Sequence, residues 1–132
     1  MLKQNTDFSV TCKGETSGKE FSGLFTARTA LSFKESLRQD EIFRITIGVR
    51  PQDASEYAQS VAQALSYLAV RIIESPGWWK ESQGGLELRG DENVLVEVNR
   101  SCVAAIDECY VAFRKEGDQA KAELKKNEPA AG

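Results

Sequence analysis

Residues 53–75 read "DASEYAQSVAQALSYLAVRIIES". Tyr57, Val61, Ala64, Leu65, Leu68 and Ile72 recur at steps of three and four, the spacing of one apolar face of an α-helix. Asp53 and Glu56 have the spacing of a capping box with Asp in the cap role. Ser75 stands before Pro76, which disfavours helical geometry at Ser75. The spacing therefore predicts a helix over about 54–74, and the flanking segments are read against it.

Upstream, "DFSVTC" alternates Phe8, Val10 and Cys12 with Ser9 and Thr11, the period of a half-buried strand. "GETSGKE" supplies glycines and polar groups for a turn, and "FSGLFTART" is rich in aromatic and β-branched residues. Together they predict a hairpin over about 7–29. A hairpin alone is marginal in water and must pack on other elements. Ser32 and Glu35 form an S-x-x-E capping box that opens a helix over about 33–47, with Gly48 and Pro51 as its stop. Its apolar residues Phe33, Leu37, Ile42, Phe43, Ile45 and Ile47 cover more than one stripe, which predicts burial against two elements.

Downstream, Asp91 is placed to cap a third helix, expected over about 92–116. Its stripe is Leu95, Val98, Cys102, Ala105, Ile106, Cys109 and Phe113, with Val94, Val103 and Tyr110 to one side. Gly117 is expected to end or weaken it. The expected fold is mainly α: an N-terminal hairpin and three principal helices in one globular domain over 1–116. A charged, weakly anchored tail over 117–132 completes the chain.

The connector "SPGWWKESQGGLELRGDENV" holds both tryptophans of the chain, Trp78 and Trp79. Read as an extended stretch, it points neighbouring side chains to opposite faces. One Trp then plugs the core where two helices join, and the sequence does not say which. The other either lies flat on the surface or makes a protein contact. Leu86 and Leu88 lie nearby and enlarge the apolar patch. Trp78, Trp79, Leu86 and Leu88 are thus the candidate protein-binding residues.

Composition narrows the function. The chain has 132 residues, 41% hydrophobic and 28% charged, with a formal net charge of -3. No clustered Lys and Arg offers a nucleic-acid site. No run approaches the roughly 20 apolar residues of a membrane span. The start "MLKQNTDFSV" lacks the pattern of a signal peptide, so a cytoplasmic protein is expected. There is no histidine, which removes the commonest general base and metal ligand. No phosphate loop, nucleophile elbow or metal-ligand cluster is seen, and no catalytic, cofactor-binding or metal residue is assigned. Cys102 and Cys109 on one helix lie about 10 Å apart at about 1.5 Å per residue, too far for a disulfide. With apolar neighbours on the same face they read as core, against a third class in which one of them serves an enzyme.

The order and spacing of "FSGLFTARTALSFKESLRQDEI", "SPGWWKESQGGLEL" and "DENVLVEVNRSCVAAIDECYVAFRK" resemble the tail assembly chaperones of long-tailed bacteriophages. The resemblance covers roughly 21–115. It implies a non-catalytic protein of the host cytoplasm that binds the tape measure protein and holds it soluble while the tail tube protein assembles around it. It implies absence from the mature virion and a homo-oligomeric ring or spiral. It also implies a longer, frameshifted form of the same chain. Lys125, Lys126 and Asn127 all have adenine-rich codons, and the slip is expected there. The competing class is a structural adaptor, such as a tail completion or connector protein, that stays in the particle.

Overall fold

The computed structural model describes residues 1–127. Expectations for 128–132 lie outside the described residues. The chain is mainly helical, with a three-stranded antiparallel sheet contributed largely by its N-terminal part.

Strands β1 (Asn5–Lys13) and β2 (Glu20–Arg28) pair along their whole length, from Asn5 opposite Arg28 to Lys13 opposite Glu20. The alternation places Phe8, Val10, Phe25 and Ala27 on the buried face. Helix α1 (Phe33–Ile47) begins at the expected box: Ser32 Oγ accepts from the Glu35 amide at 3.1 Å, and Glu35 Oε1 accepts from the Ser32 amide at 2.8 Å. Gly48 ends it at φ 70°, a conformation that favours glycine.

Helix α2 (Glu56–Arg71) is capped two residues beyond the expected position. Ser55, not Asp53, caps it by accepting from the Ala58 amide at 3.1 Å. Asp53 instead closes a 3-10 turn over Pro51–Asp53, where Arg50 donates to its carboxylate at 2.9 Å. The helix also stops before the expected 74. Ile72–Glu74 form a third strand, β3, antiparallel to β2. The β-branched pair Ile72–Ile73 suits a strand, and the free edge of β2 supplies the hydrogen bonds that a helical turn would have made.

The connector is not extended. Gly77–Glu81 form a short helix, α3, whose first residue follows Pro76. Helix α4 (Glu92–Asn127) runs on through Gly117, past the expected end at 116. A helical glycine costs about 1 kcal/mol relative to alanine. The helix formers of "QAKAELKK" that follow outweigh it. The core joins the inner face of the sheet to α2, α3 and α4 through Phe25, Leu65, Leu68, Trp79, Val94, Leu95, Val98 and Cys102.

The hairpin turn is tied to the start of α4. The Asp91 carboxylate accepts from the Thr16 amide at 2.8 Å, the Ser17 amide at 3.0 Å and the Ser17 hydroxyl at 2.6 Å. Asn93 donates to the Lys13 carbonyl at 2.8 Å and accepts from the Glu15 amide at 2.9 Å. Asp91 was expected to cap α4 with this carboxylate; the structure turns it toward the hairpin. A Cβ on Gly14 would stand 2.4 Å from the Asp91 carboxyl carbon, so only glycine fits beneath the clasp.

Candidate protein-binding surfaces

The four connector residues separate into core and surface. Trp79 is 5% exposed and Leu88 is 7% exposed, so neither is presented on a surface of this chain. Leu86 is 57% exposed. Trp78 is half-buried and packs against the core.

Helix α3 explains the tryptophans. Successive helical residues are about 100° apart, at 3.6 residues per turn, rather than on opposite faces. Both indoles therefore reach the same side of the sheet. Each meets the Phe25 ring edge-to-face at 5.7 Å, and they meet one another at 6.1 Å. Trp78 also packs on Phe21 at 5.1 Å, and its Nε1 donates to the Ser22 carbonyl at 2.9 Å. That bond satisfies a carbonyl of β2. The second Trp is thus held by the fold on three sides rather than offered flat to solvent. It lines an open cleft with Lys19, Phe21, Glu81 and Arg89.

The turn after α3 is shaped by backbone. Gln83, Gly84, Gly85, Arg89 and Gly90 all have positive φ. A Cβ on Gly85 would crowd both Trp79 and Leu95 at 3.1 Å, and its φ of 98° is one that side chains rarely adopt, so glycine suits this position on both counts. This path buries Leu88 and leaves Leu86 outside.

The larger apolar surfaces lie elsewhere. Helix α1 was expected to be covered on two sides. It packs chiefly on α2, with one ion pair from Glu35 to Arg28 of β2 at 2.9 Å, and none of its residues is fully buried. Phe33 is 80% exposed, Leu37 54% and Ile45 69%, on the face away from α2. The two-sided pattern in the sequence was the signal for this surface; it marks apolar area in excess of what one neighbour covers. The second surface is the end of α4. Every residue from Val111 to Asn127 is exposed. Phe113, Gly117, Ala120 and Leu124 continue the buried stripe of the same helix at steps of four, three and four.

The titratable groups have structural roles. Hydrogen bonds from Ser17, chiefly its hydroxyl, hold the Asp91 carboxyl below the usual range. Burial pushes the Cys102 thiol up to about 11 and also raises Cys12. Such thiols are poor nucleophiles at neutral pH. Among the described residues no group of three His, Cys, Asp or Glu is arranged to hold a metal ion. No described helix is long and apolar enough to cross a membrane. The chain matches no protein-family model, no curated protein and no solved structure.

Proposed function

We propose that this chain is a tail assembly chaperone of a long-tailed bacteriophage. In this reading it binds the tape measure protein and keeps it soluble in the host cytoplasm, and it is left out of the finished virion. It acts without catalysis, as a homo-oligomer and alongside a longer, frameshifted form of itself that adds a domain after Lys125–Asn127. The tail tube protein takes over the tape measure as assembly proceeds.

The observation that carries the reading is the exposed arm at the end of α4. Its stripe of Phe113, Gly117, Ala120 and Leu124 has the four–three spacing of a coiled-coil seam, on a helix that leaves the body of the protein. Gly117 and Ala120 let another helix come close, and Phe113 and Leu124 supply apolar contact on either side of them. A long helical client with apolar segments is what such a seam fits. The sequence resemblance supplies the client's identity.

The test is coexpression with a tape measure protein, which on this reading is expected to be encoded downstream of this gene. The unaltered chain is expected to shift the tape measure into the soluble fraction. A Phe113→Glu, Leu124→Glu double variant is expected to fold and to lose that effect, because both positions are exposed. Mass spectrometry of purified particles is expected to find no copy of the chain. Finding it there at a fixed stoichiometry would establish the structural adaptor instead.

A further inference from the structure

Two surfaces on opposite sides of α2 are complementary in chemical character. The first is a groove of about 420 Å³ between α2 and the first turns of α4. Tyr57, Val61 and Ala64 form one wall, and Leu95 and Val96 the other. Tyr57 is 67% exposed and Val96 64%, so the groove opens to solvent. Glu15 and Glu92 stand on its rim, and Asn99 contributes to its lining. The Asn99 Oδ1 is shielded from solvent and has no hydrogen-bond partner among the described residues. Shielded polar atoms in folded proteins nearly always find a donor. This one lines a groove that a donor from outside can enter.

The second surface is the open face of α1. At 3.6 residues per turn, Lys34 and Arg44 fall among Phe33, Leu37 and Ile45 on that face, together with Glu41, whose carboxylate is paired with Arg38 at 3.2 Å, so the face carries an excess of positive charge. Neither Lys34 nor Arg44 is in an ion pair among the described residues, nor are Glu15 and Glu92. One surface thus offers apolar side chains with an excess of cations, and the other apolar walls rimmed by carboxylates.

The two surfaces cannot meet within one chain. Helix α1 lies against Gln63 and Ser66 of α2, through Gln39 and Phe43. Gln63 and Ser66 are on the far side of α2 from Tyr57, Val61 and Ala64. We propose that the α2–α4 groove receives α1 of a second copy of this chain. Leu37 and its neighbours enter between Tyr57 and Val96, the cations meet Glu15 and Glu92, and a donor from α1 reaches Asn99 Oδ1. Because the contact joins two different surfaces, each added copy presents a fresh groove and a fresh ridge. Such a contact closes into a ring or continues as a helix, and does not stop at a two-fold dimer. The proposal rests on the self-associating protein described above and gives the association its surfaces and its polarity.

The experiment uses two single variants, Leu37→Asp on the ridge and Val96→Asp in the groove. Both sites are more than half exposed, so each variant is expected to keep its circular dichroism and its unfolding midpoint. Phe33→Asp and Tyr57→Asp are the second pair should either misfold. By light scattering the unaltered chain is expected to grow beyond a dimer with concentration, less so in high salt, while each variant alone stays monomeric. Mixed in equal amounts, the variants still own one good ridge and one good groove between them. They are expected to form a one-to-one heterodimer and nothing larger. A mixture that stays monomeric overturns the proposal, as does an unaltered chain that is monomeric up to millimolar concentration. Assembly that survives Leu37→Asp but is lost in the Phe113→Glu, Leu124→Glu variant overturns it too, by assigning the contact to the α4 arm. No tape measure protein is present, so failure here leaves the chaperone reading standing. Loss of tape measure solubility in the arm variant, conversely, says nothing against this contact.

Discussion

Trp79 and Trp78 are adjacent in the chain and differ in what holds them. Trp79 fills the core between the sheet and α4, so Trp79→Ala is expected to cost about 3–5 kcal/mol, the range for large aromatic truncations. Trp78→Phe keeps a ring against Phe21 and Phe25 but removes the donor to the Ser22 carbonyl. Its expected cost is about 1 kcal/mol, the net contribution of one hydrogen bond. Urea unfolding of both variants checks the order, and equal losses would contradict this account of Trp78. Cys102 has no access to solvent. A thiol reagent at pH 8 is expected to label it only when the protein unfolds. Its raised pKa also sets a sign: the unfolded thiol ionises from about 9 and the folded one only at about 11. Between those values the folded state keeps the proton that the unfolded state has lost, so stability falls as pH rises. The fall in stability between pH 9 and 11 is expected to be shallower in a Cys102→Ala variant than in the unaltered chain, the remainder coming from Cys12 and Tyr67, which burial also raises.

At the scale of elements, caps and edges decide boundaries. Two candidate caps precede α2, and only Ser55 has its side chain on a free amide. Ser55→Ala is expected to lower stability by about 1 kcal/mol. Asp53→Ala loses only an exposed pair with Arg50 and is expected to change it by a few tenths. Thermal unfolding of the two variants separates them, and the reverse order would return the cap to Asp53. The first helix and the hairpin were legible in the residues because their signals are local: a capping box, a left-handed glycine, an alternation of period two. The end of α2 was not. Ile72 extends the apolar spacing of the helix perfectly well. It becomes a strand residue because β2 lies alongside with unpaired backbone, and nothing near Ile72 in sequence reports that.

Over the whole molecule, the clasp between the hairpin turn and the start of α4 joins segments 74–75 residues apart. Its carboxylate, Asp91, has a depressed pKa because Ser17 and Thr16 donate to the ionised form. A depressed carboxyl contributes stability above its unfolded pKa, about 3.9 for Asp, and loses it as pH falls toward the folded value. The unaltered chain is therefore expected to lose stability below about pH 4 more steeply than Asp91→Asn. The variant itself is expected to be less stable at neutral pH. Acid unfolding followed by tryptophan fluorescence reads both, since the indoles lie under the same connector. Parallel acid limbs in the two proteins would show that the clasp does not depend on charge.

The sequence by itself determined the hairpin, the helical character of most of the rest and the opening box of α1. Each follows from contacts between residues near one another in the chain. It also held the excess of apolar surface on α1, although burial on two sides was the expectation drawn from it. Tertiary structure alone decided which Trp is buried, because that depends on α3 bringing both indoles to Phe25. It decided that Leu88 goes inside and Leu86 outside, through a turn whose backbone passes against Trp79 and Leu95. It turned Asp91 from a helix cap into a clasp, and it left one face of α1 open. A residue's pattern states what it is able to bury; which neighbour arrives to bury it is a property of long-range packing, and periodicity carries no record of that.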